Sequence, residues 1–546
     1  SDGSIGLLPE EWLKKYASLF KMGEVKGKNG LQISKFHFSV IDQLYDDIDE
    51  AEVLQELMEK RNKLRSFNTI EQTSVPAQIQ AQLRPYQKSG LNWLNFLHEF
   101  KWGGCLADDM GLGKTLQILT FLQFVKLKDK PQIANLVVVP TSLIFNWEAE
   151  VDKFCPNLSI LRYHGNERFK ININEFNKYD IVITTYGTLA SDIDIFSKRS
   201  FYYLILDESQ AIKNPETKRY KAVRLLKAFN RLAMTGTPIE NNTFDLYAQL
   251  NFLNPGMLGS MDFFKNQFAN PIDKHNDPDR VEELKKLVFP FVLRRTKEIV
   301  AQDLPDKTET ILFCQMGAQQ RRVYEAFRDE YRFKIIEKIN SEGMTRAGFY
   351  ILEGLMKLRQ ICNSPALLKD AEDYGNDSIK LDQLMEHITE RVGNHKVLVF
   401  SQFLGMLALI KDKLHKDNIQ YAYLDGSTSP AEREVAVRTF QTEKACRVFL
   451  VSLKAGGTGL NLTAADYVFL VDPWWNPAVE QQAIDRTHRI GQTNHVFAYK
   501  MICKDSVEEK ILSLQQKKKT LAADLISTDK GFIKNLNKSD VEFLFS

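Results

Sequence analysis

Five short runs in the first half of the chain are apolar at nearly every position and then stop at glycine, acidic or hydroxyl residues. They are GGCLAD at 103–108, NLVVVP at 135–140, DIVITTY at 180–186, YLILDE at 203–208 and RLAMTGT at 231–237. A strand whose consecutive residues are all apolar is buried on both faces, the condition of a parallel sheet sandwiched between helices. The pattern returns in KVLVFSQ at 396–402, AYLDG at 422–426, RVFLVS at 447–452, YVFLVDP at 467–473 and VFAYKMI at 496–502. The chain therefore reads as α/β with two parallel-sheet lobes, the second a loose repeat of the first. In such sheets chemistry gathers at the carboxyl ends of the strands, where the polar residues fall.

Between the two sets, residues 243–375 follow a mostly helical pattern with basic clusters, LRRTK and QQRRVYEAFRDEYRFK, which predicts helical insertions and a linker. Near the end, SVEEKILSLQQKKKTLAADLI at 506–526 spaces Val507, Ile511, Leu514, Leu521 and Leu525 by threes and fours. That spacing predicts an amphipathic helix bracing one lobe against the other, with the lysines at 517–519 on its solvated face. The first 80 residues hold amphipathic and acidic helical patterns and no chemical motif.

Composition narrows the class without choosing a function. At 546 residues the chain is too long for one core, and 44% apolar with 26% charged residues is ordinary for globular protein. The net charge of +2 means that a nucleic-acid partner would have to be met by locally gathered basic residues. The six cysteines, at 105, 155, 314, 362, 446 and 503, are scattered with no C-x-x-C pair, which argues against a zinc site or disulfide framework and for a reducing compartment. No apolar run approaches the roughly 18 residues of a membrane span. The opening SDGSIGLLPEEWLKK lacks the order of a signal peptide, and a start at Ser1 reads as a piece of a longer chain.

Chemistry enters with LADDMGLGKT at 106–115, which follows an apolar strand and precedes the helical LQILTFLQFV. This is the context of a phosphate-binding loop: the amides of Gly111, Leu112, Gly113, Lys114 and Thr115 face the phosphates, Lys114 meets the β and γ phosphates, and the Thr115 hydroxyl meets Mg²⁺. Asp108 stands where the G-x-x-x-x-G-K-[ST] pattern has its first glycine. LILDESQ at 204–210 ends another buried strand with two adjacent carboxylates; beside a phosphate loop, Asp207 is assigned to Mg²⁺ and Glu208 to the attacking water. MTGTPIENN at 234–242 closes a third strand with hydroxyls and glycine, suited to coupling but equally to a plain turn. In LRPYQKSGLNWL at 83–94, Gln87 offers an amide able to donate to and accept from an adenine edge.

Far along the chain, Asn476, Pro477 and Gly491 frame a helix carrying AVEQQAIDRTHRI, with Arg486 and Arg489 three apart on one face. Alone, R-x-x-R reads as a solvated basic helix end. With a triphosphate site in the first lobe, the pair is a source of guanidinium for the charge that spreads over the γ-phosphate oxygens.

The ordered set LRPYQ, DMGLGKT, DESQ, TGTPIEN, LRRTK, VLVFSQF, SLKAGGTGLNLTAADYV and DRTHRIGQ closely resembles the SWI/SNF-like ATPases of helicase superfamily 2, over about residues 81 to 525. Gln210, where eukaryotic members tend to have histidine, and the AIKNP that follows resemble the bacterial members. The resemblance implies RecA-like lobes at 81–298, with an insertion about 243–293, and at 376–505. A helical protrusion and linker would occupy 299–375, a brace helix and tail 506–546, and an accessory segment 1–80. It implies ATP and Mg²⁺, with nucleotide contacts at Arg84, Gln87, Asp108, Asp109, Met110 and Gly111 through Thr115. Glu208, Gln210, Arg486 and Arg489 take catalytic roles, and Thr235, Gly236, Thr237 and Gly457 couple the lobes. Double-stranded DNA would lie on Thr141, Asn146, Thr185, Lys454, Gly456, Thr458 and Trp475, although a tryptophan between Pro473 and Pro477 also reads as a packed loop anchor.

The function expected is ATP hydrolysis coupled to translocation on duplex DNA, remodelling or displacing DNA-bound proteins, by a monomer with no membrane partner. The setting is cytoplasmic and nucleoid-associated if bacterial, nuclear if eukaryotic. The rival readings are a strand-separating helicase or RNA-dependent ATPase, and a nucleotide-gated DNA-binding scaffold.

Overall fold

The computed structural model describes residues 24–26, 30–32, 72–236, 243–275, 277–301, 303–368, 374–456, 460–473, 477–519 and 537–546. The chain forms two compact units whose main boundary falls between Arg295 and Thr296. In the first, strands β1 (Gly104–Leu106), β2 (Asn135–Val139), β3 (Ile160–Arg162), β4 (Ile181–Thr185), β5 (Ser200–Leu206), β6 (Lys227–Met234) and β7 (Val292–Leu293) form a sheet of order β3-β4-β2-β5-β6-β1-β7. Every pairing is parallel. The all-apolar runs take the central positions: every residue of β1, β2 and β4 is buried, as helices cover both faces.

The second unit repeats the design with β8 (Lys307–Cys314), β9 (Val397–Ser401), β10 (Tyr421–Leu424), β11 (Val448–Ser452), β12 (Tyr467–Leu470) and β13 (Val496–Cys503), in the order β8-β13-β12-β9-β11-β10. All five of its pairings are parallel. The expected α/β class with two parallel-sheet lobes and helical insertions is thus observed.

Among the described residues five strands lie outside the predicted runs, all at sheet edges: β3, β7, β8 and an antiparallel pair, Glu24–Lys26 with Gly30–Gln32, that corrects the helical reading of the first 80 residues at that point. Most consequential is β8, which stands inside the 299–375 stretch expected to be protrusion and linker, yet pairs along its whole length with β13. Its sequence KTETILFC is largely exposed, so it lacks the all-apolar signature of a central strand. Most of the remaining described residues of that stretch lie in two long helices, Ala318–Glu342 and Met344–Asn363. The helix Val507–Lys519 buries Val507, Ile511 and Leu514 in the second unit's own core, while Leu521 and Leu525 lie outside the described residues.

That core also encloses a fully buried ion pair, Lys380 Nζ to Glu508 Oε1 at 2.7 Å. All six cysteines are buried free thiols. Cys362 and Cys503 converge on Glu508, a carboxylate already held by Lys380. No described helix is long and apolar enough to cross a membrane.

Candidate active site

The first unit gathers its chemistry at the carboxyl ends of β1, β5 and β6. β1 runs into the phosphate loop, and the helix Lys114–Asp129 begins at Lys114. Gly111 and Gly113 have φ of +88° and +74°, so the loop turns through conformations open to glycine. Lys114 Nζ donates to the carbonyl oxygens of Asp108 (2.7 Å) and Asp109 (3.3 Å), the posture of a loop whose lysine is satisfied by its own backbone.

The Asp108 carboxylate, carried as a nucleotide contact by resemblance, is turned away from this function. It is fully buried and forms a two-pronged ion pair with Arg295, Nε–Oδ1 2.8 Å and Nη2–Oδ2 2.5 Å, while Gln117 Nε2 donates to it at 3.1 Å. What Asp108 offers the loop is its main chain. Asp109 N donates to Arg295 O at 3.0 Å. Gln87 is also partly committed, because its amide oxygen accepts from Arg84 N at 3.0 Å, capping the helix Pro85–Glu99.

β5 delivers Asp207 and Glu208. Asp207 Oδ2 accepts from the buried indole of Trp147 at 2.9 Å, Oδ1 accepts from Glu208 N at 2.9 Å, and its carbonyl accepts from the Tyr186 hydroxyl at 2.8 Å. Burial first, and the Glu208 charge second, push the Asp207 carboxyl up to about 6, against the Trp147 hydrogen bond and the Lys114 ammonium, which pull it down. A desolvated carboxylate beside a second one, with a lysine ammonium acting on it, is the donor set a hard divalent cation fits. Asp207 and the Thr115 hydroxyl would hold Mg²⁺ there.

Glu208 sits at φ +48°, ψ +55°, a left-handed conformation that costs a non-glycine residue about 1 kcal/mol or more and turns its side chain at the strand end. Gln210 Nε2 donates to Glu208 Oε2 and Gln210 Oε1 accepts from the Thr235 hydroxyl, both at 2.9 Å. Gln210 therefore bridges the candidate base to the coupling segment after β6. Gly236 is buried beside Thr235, and Thr237 lies outside the described residues.

Sequence reasoning missed Trp147, Tyr186 and Arg295 as site residues. The first two fall in PTSLIFNW at 140–147 and TTYGTL at 184–189, the segments that hold Thr141, Asn146 and Thr185, which were expected to contact DNA. Of the contacts expected there, Thr141 is exposed and Asn146 half-buried, but Thr185 is corrected: it is buried, and its hydroxyl caps the helix Tyr186–Ser191 by accepting from Thr188 N at 3.1 Å.

In the second unit the helix expected to carry both arginines is shorter than its framing residues implied. It spans Pro477–Ile484, and Arg486 and Arg489 lie in the turns beyond it. The reason is competition for the last carbonyls. Thr487 Oγ1 takes Ile484 O at 2.7 Å, and Gln492 Nε2 holds Thr487 O, Thr463 O and Ala465 O, drawing the chain out of helical register before Gly491 reverses it at φ +100°. Arg486 O accepts from Leu462 N at 3.0 Å, and Arg489 Nη1 donates to Leu460 O at 2.9 Å. Lys454 and Gly456 fall in the helical turn Leu453–Gly456 after β11. Gly457, Thr458 and Trp475 lie outside the described residues.

Phosphate loop, paired carboxylates and an arginine loop on a second parallel-sheet unit define a SNF2-type nucleotide-dependent helicase core, and comparison with known proteins agrees. The chain belongs to this family: residues 86–367 match the SNF2-related domain and residues 379–491 the helicase conserved C-terminal domain. The putative ATP-dependent helicase/translocase YwqA of Bacillus subtilis is 40% identical over 89% of this chain and 53% of its own length. The TATA-binding protein-associated factor MOT1 of Saccharomyces cerevisiae is 32% identical over 91% of this chain and 30% of its own. The SWI2/SNF2 ATPase core of Sulfolobus solfataricus, solved in complex with dsDNA, is 39% identical over 87% of this chain and 99% of that one, with a TM-score of 0.44. The chain spans about half the length of YwqA and less of MOT1.

Proposed function

We propose that this chain hydrolyses ATP and uses the cycle to move along double-stranded DNA, displacing or remodelling proteins bound there. The observation that carries the reading is the gathering, at the carboxyl edge of one parallel sheet, of Lys114 after β1 and of Asp207 and a Glu208 bonded by Gln210 after β5. An incoming triphosphate draws Lys114 off the two loop carbonyls and receives amides from Gly111 through Thr115. Glu208, held on one oxygen by Gln210, accepts the proton of the attacking water on the other. Mg²⁺, when bound, neutralises phosphate charge. Arg486 and Arg489 supply guanidinium to the charge developing on the transferred group, an effect of about 10³ to 10⁵ in rate in related chemistry. Exposed Thr141 and half-buried Asn146 suit phosphate contacts, giving sequence-independent, salt-sensitive binding.

A triplex-displacement assay on duplex DNA tests the whole reading. Wild type should displace the third strand only with ATP and Mg²⁺, and Glu208→Gln should bind DNA yet displace nothing. Displacement without hydrolysis would overturn it. Equal ATPase stimulation by single strands or RNA would favour a strand-separating helicase or RNA-dependent enzyme. DNA binding with no phosphate release would favour a scaffold.

A further inference from the structure

The basic motif LRRTK, 293–297, enters the site above only through the hold of Arg295 on Asp108, yet it also carries the chain from the first unit into the second. Its two ends are held differently. On the near side, Leu293 O accepts from Ala107 N at 2.7 Å and Arg295 O from Asp109 N at 3.0 Å, so the main chain runs stitched along the phosphate loop. The Arg295 guanidinium adds the two-pronged pair with Asp108, a bond to Gln117 Oε1 at 2.7 Å and one to the Tyr86 carbonyl. One side chain thus grips the loop's first acid, the helix that follows it and the residue before Gln87. The grip is tight: a Cβ on Gly90 would lie 2.1 Å from Gln117 Oε1 and 3.0 Å from Arg295 Nη2.

Two residues on, Lys297 is almost fully buried within the second unit. Its ammonium donates to Asp485 Oδ1 at 2.8 Å and to His488 O at 2.6 Å, while Gln481 Nε2 steadies the same Asp485 oxygen at 3.1 Å. Asp485 and His488 are the immediate neighbours of Arg486 and Arg489. The lysine therefore holds the arginine loop by its main chain and by an acid adjacent to the first guanidinium.

The carbonyls on which Lys114 rests belong to Asp108 and Asp109, the two residues that Arg295 grips by side chain and main chain. A triphosphate that takes Lys114 away changes the bonding of those two peptides. With only Thr296 between the grips, the change has a covalent path three residues long into the arginine loop. From this geometry we infer that Arg295 and Lys297 are positioning residues, a strap that makes the placement of Arg486 and Arg489 depend on phosphate in the loop. The inference rests on the ATP reading and adds to it how occupancy is communicated.

Hydrogen exchange with and without adenylyl imidodiphosphate and Mg²⁺ tests it without requiring turnover. Wild type should gain protection at 108–115 and change exchange at 485–490. Lys297→Met should keep the 108–115 protection, with nucleotide affinity within about twofold, and lose the nucleotide-dependent change at 485–490, with kcat down at least tenfold. Lys297→Arg should restore much of both, and Asp485→Asn, reaching the same bond from its other side, should behave like Lys297→Met. Protection at 108–115 serves as the folding control for each variant. An unchanged 485–490 response in Lys297→Met overturns the strap alone. No protection at 108–115 in wild type overturns the ATP reading and the strap with it.

Discussion

Replacing Gln210 by glutamate is a sharp test of how the candidate base is oriented, because it changes one donor into an acceptor at nearly constant volume. In the native site the amide nitrogen donates to Glu208 Oε2 and the amide oxygen receives the Thr235 hydroxyl, both at 2.9 Å. In Gln210→Glu the Thr235 bond survives, but two carboxylate oxygens are brought to about 3 Å with no proton between them. Two unit charges at that distance repel by about 5 kcal/mol at an effective dielectric of about 20. Both residues are only half-buried, so side-chain rotation and solvent would leave roughly half of this, about two pH units. Carboxylates so placed share one proton.

The assay is the DNA-stimulated phosphate-release rate from pH 5.5 to 9.5 for wild type, Gln210→Glu and Gln210→Leu. Leucine removes the hydrogen bond without adding charge, so its loss should be independent of pH at about 10-fold or more, the worth of a hydrogen bond to a charged group. The acid limb of Gln210→Glu should instead move up by about two pH units, leaving it slower than the leucine variant at pH 6 and approaching or passing it by pH 9. Parallel profiles for the two variants would refute the idea that Glu208 acts as the base under Gln210's control.

Three further outcomes follow from the same geometry. Arg489→Ala should leave ATP binding nearly intact and cut turnover by about a thousandfold, as single-turnover kinetics and nucleotide titration would register; an unimpaired rate would remove the arginine from the mechanism. Since burial lifts Asp207 to about 6 and a cation needs its ionised form, half-saturating Mg²⁺ should be flat above that pH and climb about tenfold per unit below it, measurable with Mn²⁺ binding in place of Mg²⁺. Lys380→Met strands the buried carboxylate of Glu508 and should cost about 3–5 kcal/mol in urea unfolding, with Lys380→Met/Glu508→Gln recovering much of it.

How far the sequence disclosed this structure depended on whether a feature was local. Central strands were legible because burial on both faces forces apolar residues at every position. The missed edge strands β3, β7 and β8 escaped for the complementary reason, as one side of each faces no neighbour and tolerates charge, as in KTETILFC. The phosphate loop and the Asp207–Glu208 pair were legible because the chemistry is packed into a few consecutive residues. The arginine helix was drawn too long because Pro477 and Gly491 are local signals, whereas the contacts that end the helix come from Thr487 and Gln492 reaching carbonyls up to 29 positions away. Asp108 looked like an irregularity in a motif; its explanation, Arg295, lies 187 residues on.

These distant partners share a physical purpose. Asp207 is held by Trp147 and Asp108 by Arg295, so each of these two acids is bonded to a donor other than the phosphate-binding lysine. Lys114 in turn rests on neutral carbonyls. Each such bond contributes about 1 kcal/mol net, whereas freeing a lysine from a buried carboxylate would cost about 3–5 kcal/mol on every cycle. A site that must admit and release a triphosphate repeatedly gains from keeping its ammonium on partners that yield easily. The long-range donors that sequence motifs do not reveal are what make that possible, because without Trp147 and Arg295 the nearest carboxylates would compete with the nucleotide for Lys114.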